Sequence, residues 1–330
     1  MQDFEELFGK IASLKVAVIG DIMLDTYWWG KVDRISPEAP VPVVSLQNKE
    51  YRLGGAANVA LNTVSLGANT ILFSVVGNDD DADILLGLLA KEHIHTQRII
   101  KSSERITTNK TRIISRNQQM MRLDAEITND ISLKDEELLI KNIINFIEHD
   151  KPAVVIFEDY NKGVLTKTVI ETIIATCKKN NIITTVDPKR KNFFAYRNSD
   201  IFKPNLKEVK EGLNVLLDKV TLEALNNVHI QLHDALQHNI SLITLSEKGV
   251  FVQDENESRI VPTHLRNITD VSGAGDTVIA VASLVYAATK NIMLAASMAN
   301  LAGGIVCEEV GTVAINASKL LQECKENLSS

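Results

Sequence analysis

The sequence predicts an α/β fold: a mostly parallel central sheet with helices on both faces and a small β-element projecting from it. Three observations carry this expectation. Short, uninterrupted apolar runs such as Lys15–Gly20 (KVAVIG) and Ala153–Phe157 read as strands buried on both sides. Between them lie stretches with helical spacing of apolar residues, the alternation that builds parallel sheets. Two segments, Val41–Leu46 and Thr107–Leu123, break this rhythm as extended chain, the second alternating around Arg116-Asn117.

Each element follows from local signals. Gly55–Leu66 is a small-residue helix closed by Gly67, and Thr70–Val76 is the next strand. Asn78 and Asp79 offer an N-cap for a helix through Lys91, with Ile84, Leu85, Leu88 and Leu89 at helical spacing. Leu133–Ile147 is amphipathic, Thr166–Asn180 is a helix, and Ile182–Val186 and Ile240–Leu245 are strands. Gly275–Thr289, Ile292–Glu308 and Ser318–Glu326 complete the chain as helices.

Composition narrows the function. Among 330 residues, 35 Lys and Arg stand against 42 Asp and Glu, a net charge of −7, which argues against a protein that coats nucleic acid. Cys177, Cys307 and Cys324 are far apart, odd in number and without a CxxC pair, so neither a disulfide framework nor a zinc site is expected. The acidic start MQDFEELFGKIASL is not read as a signal peptide, and the longest apolar run, Thr277–Thr289, is too short to span a bilayer. A soluble cytoplasmic protein with no membrane or nucleic-acid partner is expected.

Three motifs carry chemistry. In Asp270-Val-Ser-Gly-Ala-Gly-Asp276-Thr277, the glycines let backbone approach a ligand. The amides of Gly273, Ala274 and Gly275 would lie at a helix N-terminus that favours an anion. Asp276 beside them could take a proton from an attacking alcohol; a Gly-rich turn with an Asp at a helix start is the bland alternative. Gly54-Gly55-Ala-Ala-Asn58 opens a helix of small residues toward a polar ligand, or simply packs it on the sheet; it lacks the dinucleotide GxGxxG pattern. Gly20-Asp21-Ile-Met-Leu-Asp25 ends the first strand, where ligands of α/β sheets sit. There Asp25 is the candidate for sugar hydroxyls, and Asp21 reads as a solvated loop acid.

Together these motifs resemble the ribokinase family of carbohydrate kinases, also called the phosphofructokinase B family. The resemblance covers essentially the whole chain. It implies a ribokinase-like three-layer sandwich and one kinase domain over residues 1–330, with a lid from segments of about 26–53 and 102–125. It makes Asp276 the catalytic base and the backbone at Gly273, Ala274 and Gly275 the anion hole. It places Asp25, Gly54, Gly55 and Asn58 at the sugar. Lys203-Pro-Asn205-Leu-Lys-Glu208 looks like the family's NxxE motif: Asn205, Glu208 and nearby Asp187 would organise Mg2+, and Lys203 would touch nucleotide phosphate. Ser246, Gly249 and Asn300 would line the ATP site, Ser246 standing where many relatives carry Gly. Arg190 likewise replaces a common Gly. Asp270 and the backbone near Gly311 resemble a K+ site of some members.

Arg34-Ile-Ser-Pro-Glu-Ala-Pro-Val-Pro-Val43, Asp159-Tyr-Asn-Lys-Gly163, and Asn109-Lys-Thr-Arg112 through Gln118–Asp124 resemble one branch, the D-glycero-β-D-manno-heptose 7-phosphate kinases of lipopolysaccharide-core precursor synthesis. A dianionic sugar needs cations, since bare burial of its charge is costly. Lys110, Arg122 and Lys162 are the expected phosphate ligands. The absence of an HxGH-type motif implies a separate protein for any adenylyl transfer. Apolar positions on the projecting element, including Val41, Val43, Ile113, Met120 and Leu123, imply a homodimer formed lid to lid. The alternatives are a family kinase acting on ribose, fructose or a hexose phosphate, and a catalytically silent ligand-binding regulator.

Overall fold

The computed structural model describes residues 3–328 except 117 and 218. The chain begins with helix α1 (Phe4–Ala12) and strand β1 (Lys15–Gly20), then two long strands, β2 (Ile22–Ile35) and β3 (Pro42–Gly55). Helix α2 (Ala56–Ser65), β4 (Asn69–Gly77) and α3 (Asp80–Lys91) follow, then β5 (Ile99–Ser102), β6 (Asn109–Ser115) and β7 (Gln118–Ala125). Next come α4 (Leu133–Asp150), β8 (Val154–Glu158), α5 (Lys167–Lys179), β9 (Ile183–Asp187), β10 (Ile201–Phe202), α6 (Leu206–Leu213) and α7 (Leu222–Leu236). The chain closes with β11 (Ile240–Thr244), β12 (Val250–Gln253), β13 (Ser258–Val261), α8 (Ala274–Thr289), α9 (Ile292–Val306) and α10 (Ala317–Asn327).

The main sheet has nine strands in the order β13-β12-β11-β10-β9-β8-β1-β4-β5. Pairings from β11 to β5 are parallel; β12 and β13 add an antiparallel edge hairpin. Alternation along β1 shows why it needs two helical layers. Val16 and Val18 join a core packed with α1, α2, α3, α8, α9 and α10, while Ala17 and Ile19 face a second core with α4, α5, α6 and α7.

Caps end the helices where side-chain chemistry allows. Asp79, Ser132, Thr166 and Thr221 each accept a first-turn amide with their side chains. Thus Thr166 and Asn180, read from sequence as helical, are the caps of α5. Helix α1, unread in the sequence, buries Phe4, Leu7 and Ile11 on one face; its spacing was visible but short. No described helix is long and apolar enough to cross a membrane.

A second sheet has the order β3-β2-β6-β7. β2–β3 and β6–β7 pair antiparallel and β2–β6 pair parallel. It begins at Ile22 and runs through Gly55, and residues 103–108 lie outside it. The extended character of 41–46 is therefore part of a much longer strand. Gly54 and Gly55 end that strand rather than open a helix: Gly55 adopts φ 61° and caps α2. Asn117, at the expected turn of the second segment, lies outside the described residues. Ile35, Val41, Leu46, Met120, Met121 and Leu123 are exposed on this sheet, whereas Val43 and Ile113 are half-buried.

Candidate active site

The carboxyl ends of β1, β8 and β9 and the N-terminus of α8 meet at one place. Gly273 turns with φ 76° into α8, and Thr277 makes the first helical bond back to its carbonyl. Residues 274–276 thereby present the amides of a helix start, of which Ala274 donates to Val271 O at 3.3 Å. Asp276 follows in the first turn and is 3% exposed. Its Oδ2 accepts from Asn58 Nδ2 at 2.8 Å and its Oδ1 from the Tyr160 hydroxyl at 2.8 Å. Burial raises its pKa to about 6, partly offset by those two hydrogen bonds.

Sequence spacing alone could not say that Asn58 and Asp276 touch, yet the first and last motifs do meet through this bond. Asn58 is held in turn: Asn62 Nδ2 donates to its backbone carbonyl at 2.8 Å and its Oδ1 at 3.3 Å. Gly54 is required because a Cβ there would lie 2.5 Å from Asp25 Oδ2. Asp25 is buried and accepts from Arg112 at 2.6 Å; Arg112 also lies over the Tyr27 ring at 5.2 Å. Arg112, which the sequence shows only as part of the Asn109–Arg112 motif, is thus the cation at Asp25.

Asp21 corrects the reading of a solvated acid. It is 1% exposed and accepts the amides of Tyr160 (2.9 Å), Lys162 (3.0 Å) and Val164 (3.0 Å). It shapes the loop that aims Tyr160 at Asp276. Nothing in the sequence assigned Tyr160 a role beyond membership of its motif.

Lys203 is buried and pairs with Asp187 at 2.7 Å; a Cβ on Gly275 would lie 3.7 Å from its Nζ. It therefore sits beside the anion-favouring helix start. Lys189 bridges Asp187 (3.1 Å) and Glu208 (2.8 Å). These ammonium groups hold the Asp187 carboxyl below its ordinary value against the cost of burial. Asn205 and Glu208 form a reciprocal cap on α6: Asn205 Oδ1 accepts Glu208 N, and Glu208 Oε2 accepts Asn205 N, both at 2.8 Å. The NxxE spacing is that of a capping box, so the sequence could not separate helix start from ligand set.

Ser246 adopts φ 57° in a tight turn before Gly249, whose Cβ would collide with Val261 O. Asn300 donates to Pro262 O at 2.8 Å. Gly249 and Asn300 thus meet the end of β13 and the Pro262 that follows it, and Ser246 joins them through its carbonyl, which accepts Gly249 N at 3.1 Å. Lys110, Lys162 and Arg122 converge, but on carboxylates. Lys110 pairs with Asp124 and Glu126 at 3.3 Å each, Lys162 with Glu126 at 2.8 Å, and Arg122 with Asp124 at 2.8 Å. Asp270 Oδ2 accepts Gly311 N at 2.9 Å, while Arg52 donates to the carbonyls of Val310 and Thr312.

Among solved structures, phosphofructokinase-2 from Escherichia coli, in complex with potassium, superposes with a TM-score of 0.79 at 16% identity, covering 96% of this chain and 100% of that one. Arabidopsis thaliana ribokinase, complexed with ribose and ATP, gives 0.73 at 16%, covering 94% and 99%. The fold is ribokinase-like. Sequence comparison supplies the class: the protein is a sugar kinase. It belongs to the pfkB family of carbohydrate kinases, whose profile matches residues 13–319. Two relatives named bifunctional protein HldE, from Methylobacillus flagellatus and Aliarcobacter butzleri, are each 41% identical over 317 and 315 residues. In each case the match covers 96% of this chain and 64% of the relative, so the chain spans under two thirds of their length.

Proposed function

We propose that this kinase transfers the γ-phosphoryl group of ATP to the C1 hydroxyl of D-glycero-β-D-manno-heptose 7-phosphate, giving the 1,7-bisphosphate. The observation that carries the chemistry is the double anchoring of Asp276 at the glycine-opened start of α8. Asp276 accepts the hydroxyl proton as its oxygen attacks phosphorus in line. The amides at residues 273–275 and Lys203 offset the charge that grows on the phosphoryl oxygens. Asp25, Gly54, Gly55 and Asn58 hold the sugar, and Ser246, Gly249 and Asn300 border the nucleotide. Mg2+ fits the oxygen-rich set of Asp187 with Asn205 and Glu208 at its edge; when bound, it neutralises phosphate charge. Potassium at Asp270 and Gly311 belongs to the same proposal, although Arg52 already occupies carbonyls there.

The 41% identity to HldE proteins and the gathering of Lys110, Lys162 and Arg122 support a phosphorylated sugar. Substrate phosphate would displace Asp124 and Glu126 from these cations. Their present ion pairs favour a second reading, an unphosphorylated sugar of the same family. Incubation with ATP, magnesium and heptose 7-phosphate, alongside ribose, fructose and fructose 6-phosphate, decides between them by mass spectrometry. Heptose bisphosphate is the expected product; selective turnover of a neutral sugar would replace the assignment.

The whole chain is read as one kinase domain in which the four-stranded sheet is the lid, working in the cytoplasm where ATP is supplied. Lid-to-lid pairing would cover Val41, Met120 and Leu123. Sedimentation is expected to show a dimer that Leu123→Glu weakens; a wild-type monomer at micromolar concentration contradicts it.

The base also sets a pH limb. With the Asp276 pKa raised to about 6 by burial, kcat should rise with pH through that region. The Tyr160 hydroxyl stabilises the carboxylate, so Tyr160→Phe is expected to move the limb to higher pH. A pH–rate profile with an unmoved limb would remove Tyr160 from that role.

A further inference from the structure

Glu158 ends β8 with 0% exposure, and neither of its carboxylate oxygens has a hydrogen-bond partner. Its surroundings deepen the imbalance. Glu158, Asp187 and Asp276 arrive from β8, β9 and α8, and one oxygen of each lies within 4.8 Å of the others. Among the described residues, this is the group of His, Cys, Asp and Glu side chains gathered closely enough to hold an ion. The nearby cations are committed elsewhere: Lys203 to Asp187, and Lys189 to Asp187 and Glu208. Four carboxylates therefore share two ammonium groups, and both Glu158 oxygens are left without a partner, while burial beside Asp187 and Asp276 raises the Glu158 pKa well above its ordinary value. Burial of unpaired charge at this density is costly.

We propose that Glu158, Asp187 and Asp276 form a divalent-cation site that the protein fills by itself, before nucleotide arrives, with Glu158 as its anchor. All the donors are carboxylate oxygens, which selects hard cations of the magnesium and manganese class. Asp276 and Asp187 already spend oxygens on Asn58, Tyr160 and the two lysines, so Glu158 contributes the uncommitted lone pairs. Asn205 and Glu208 are closed on each other in the cap, so this site is distinct from the pair suggested by the NxxE motif. The proposal concerns the free protein and does not rest on which sugar is phosphorylated.

Manganese titration of the nucleotide-free, sugar-free chain, followed by electron paramagnetic resonance, tests it. One Mn2+ per chain is expected, with Glu158→Gln and Glu158→Ser each weakening binding by at least about tenfold. Neither variant should unfold at a lower temperature than the wild type in chelator, since each removes a buried carboxyl group that has no hydrogen-bond partner. Mn2+ should also raise the unfolding temperature of the wild type, a readout that holds even if a variant fails to fold. Absence of both binding and stabilisation in the nucleotide-free wild type overturns the proposal. So does binding that both variants retain undiminished.

Discussion

Asp276→Asn is expected to lower kcat by about 10²–10⁴-fold, the range a positioned general base contributes, while leaving ATP affinity nearly unchanged. The substitution keeps the shape of the side chain. Its amide oxygen can accept from Asn58 at 2.8 Å and its NH2 can donate to the Tyr160 oxygen, while the Tyr160 hydroxyl proton, which Asp276 accepts at 2.8 Å in the wild type, loses that acceptor. What is lost is the carboxylate, with its basicity and its charge. Fold integrity is predicted in sign as well. The folded-state pKa of Asp276 is raised to about 6, so its contribution to stability is present below the ordinary carboxylate value and lost as pH rises through 6. An Asn there carries no such loss, so the variant should match or exceed wild-type stability at neutral pH, with the advantage gone below about pH 4. Single-turnover kinetics with nucleotide binding measured alongside gives the answer. Wild-type-like turnover would remove the assigned base.

The parts of this molecule that were legible beforehand were those with local causes. The buried strands declared themselves as apolar runs, and α3 by its cap and spacing. What stayed hidden depends on long-range register. The segment Thr107–Leu123 shows only alternating polarity, and the pairing of Arg112 with Asp25 follows from β2 lying parallel to β6, with Asp25 opposite Lys110 and Tyr27 opposite Arg112. Asp21 looked like a solvated acid because its three amide donors lie some 140 positions away in sequence, at 160–164. Glu158 carried one readable signal, a single acid closing the apolar run VVIFE, but its lack of a partner is visible only when β9 and α8 are in place. The NxxE pair was visible as a motif, yet the same four positions satisfy a helix cap, which no inspection of spacing resolves.

Gly273→Ala tests whether positioning of the base runs through the turn before α8. Gly273 sits at φ 76°, where an L side chain costs about 1–2 kcal/mol. Its new Cβ would lie 2.7 Å from Asn58 Nδ2 and 3.2 Å from Thr312 Cγ2. Asn58 cannot yield freely, because Asn62 grips it while accepting from Thr277 at 3.1 Å and Ile315 N at 2.9 Å. The displacement must therefore pass to the Asn58–Asp276 contact or to the helix start itself. A shift on the order of 1 Å at the base is expected to cost about 10²-fold in kcat, with a lower unfolding temperature. The double variant Gly273→Ala/Asp276→Asn separates the two routes. If the turn acts by placing the base, the second change adds little to kcat once the base is gone. Full multiplication of the two losses would instead assign Gly273 to phosphoryl binding at the α8 amides, independent of Asp276.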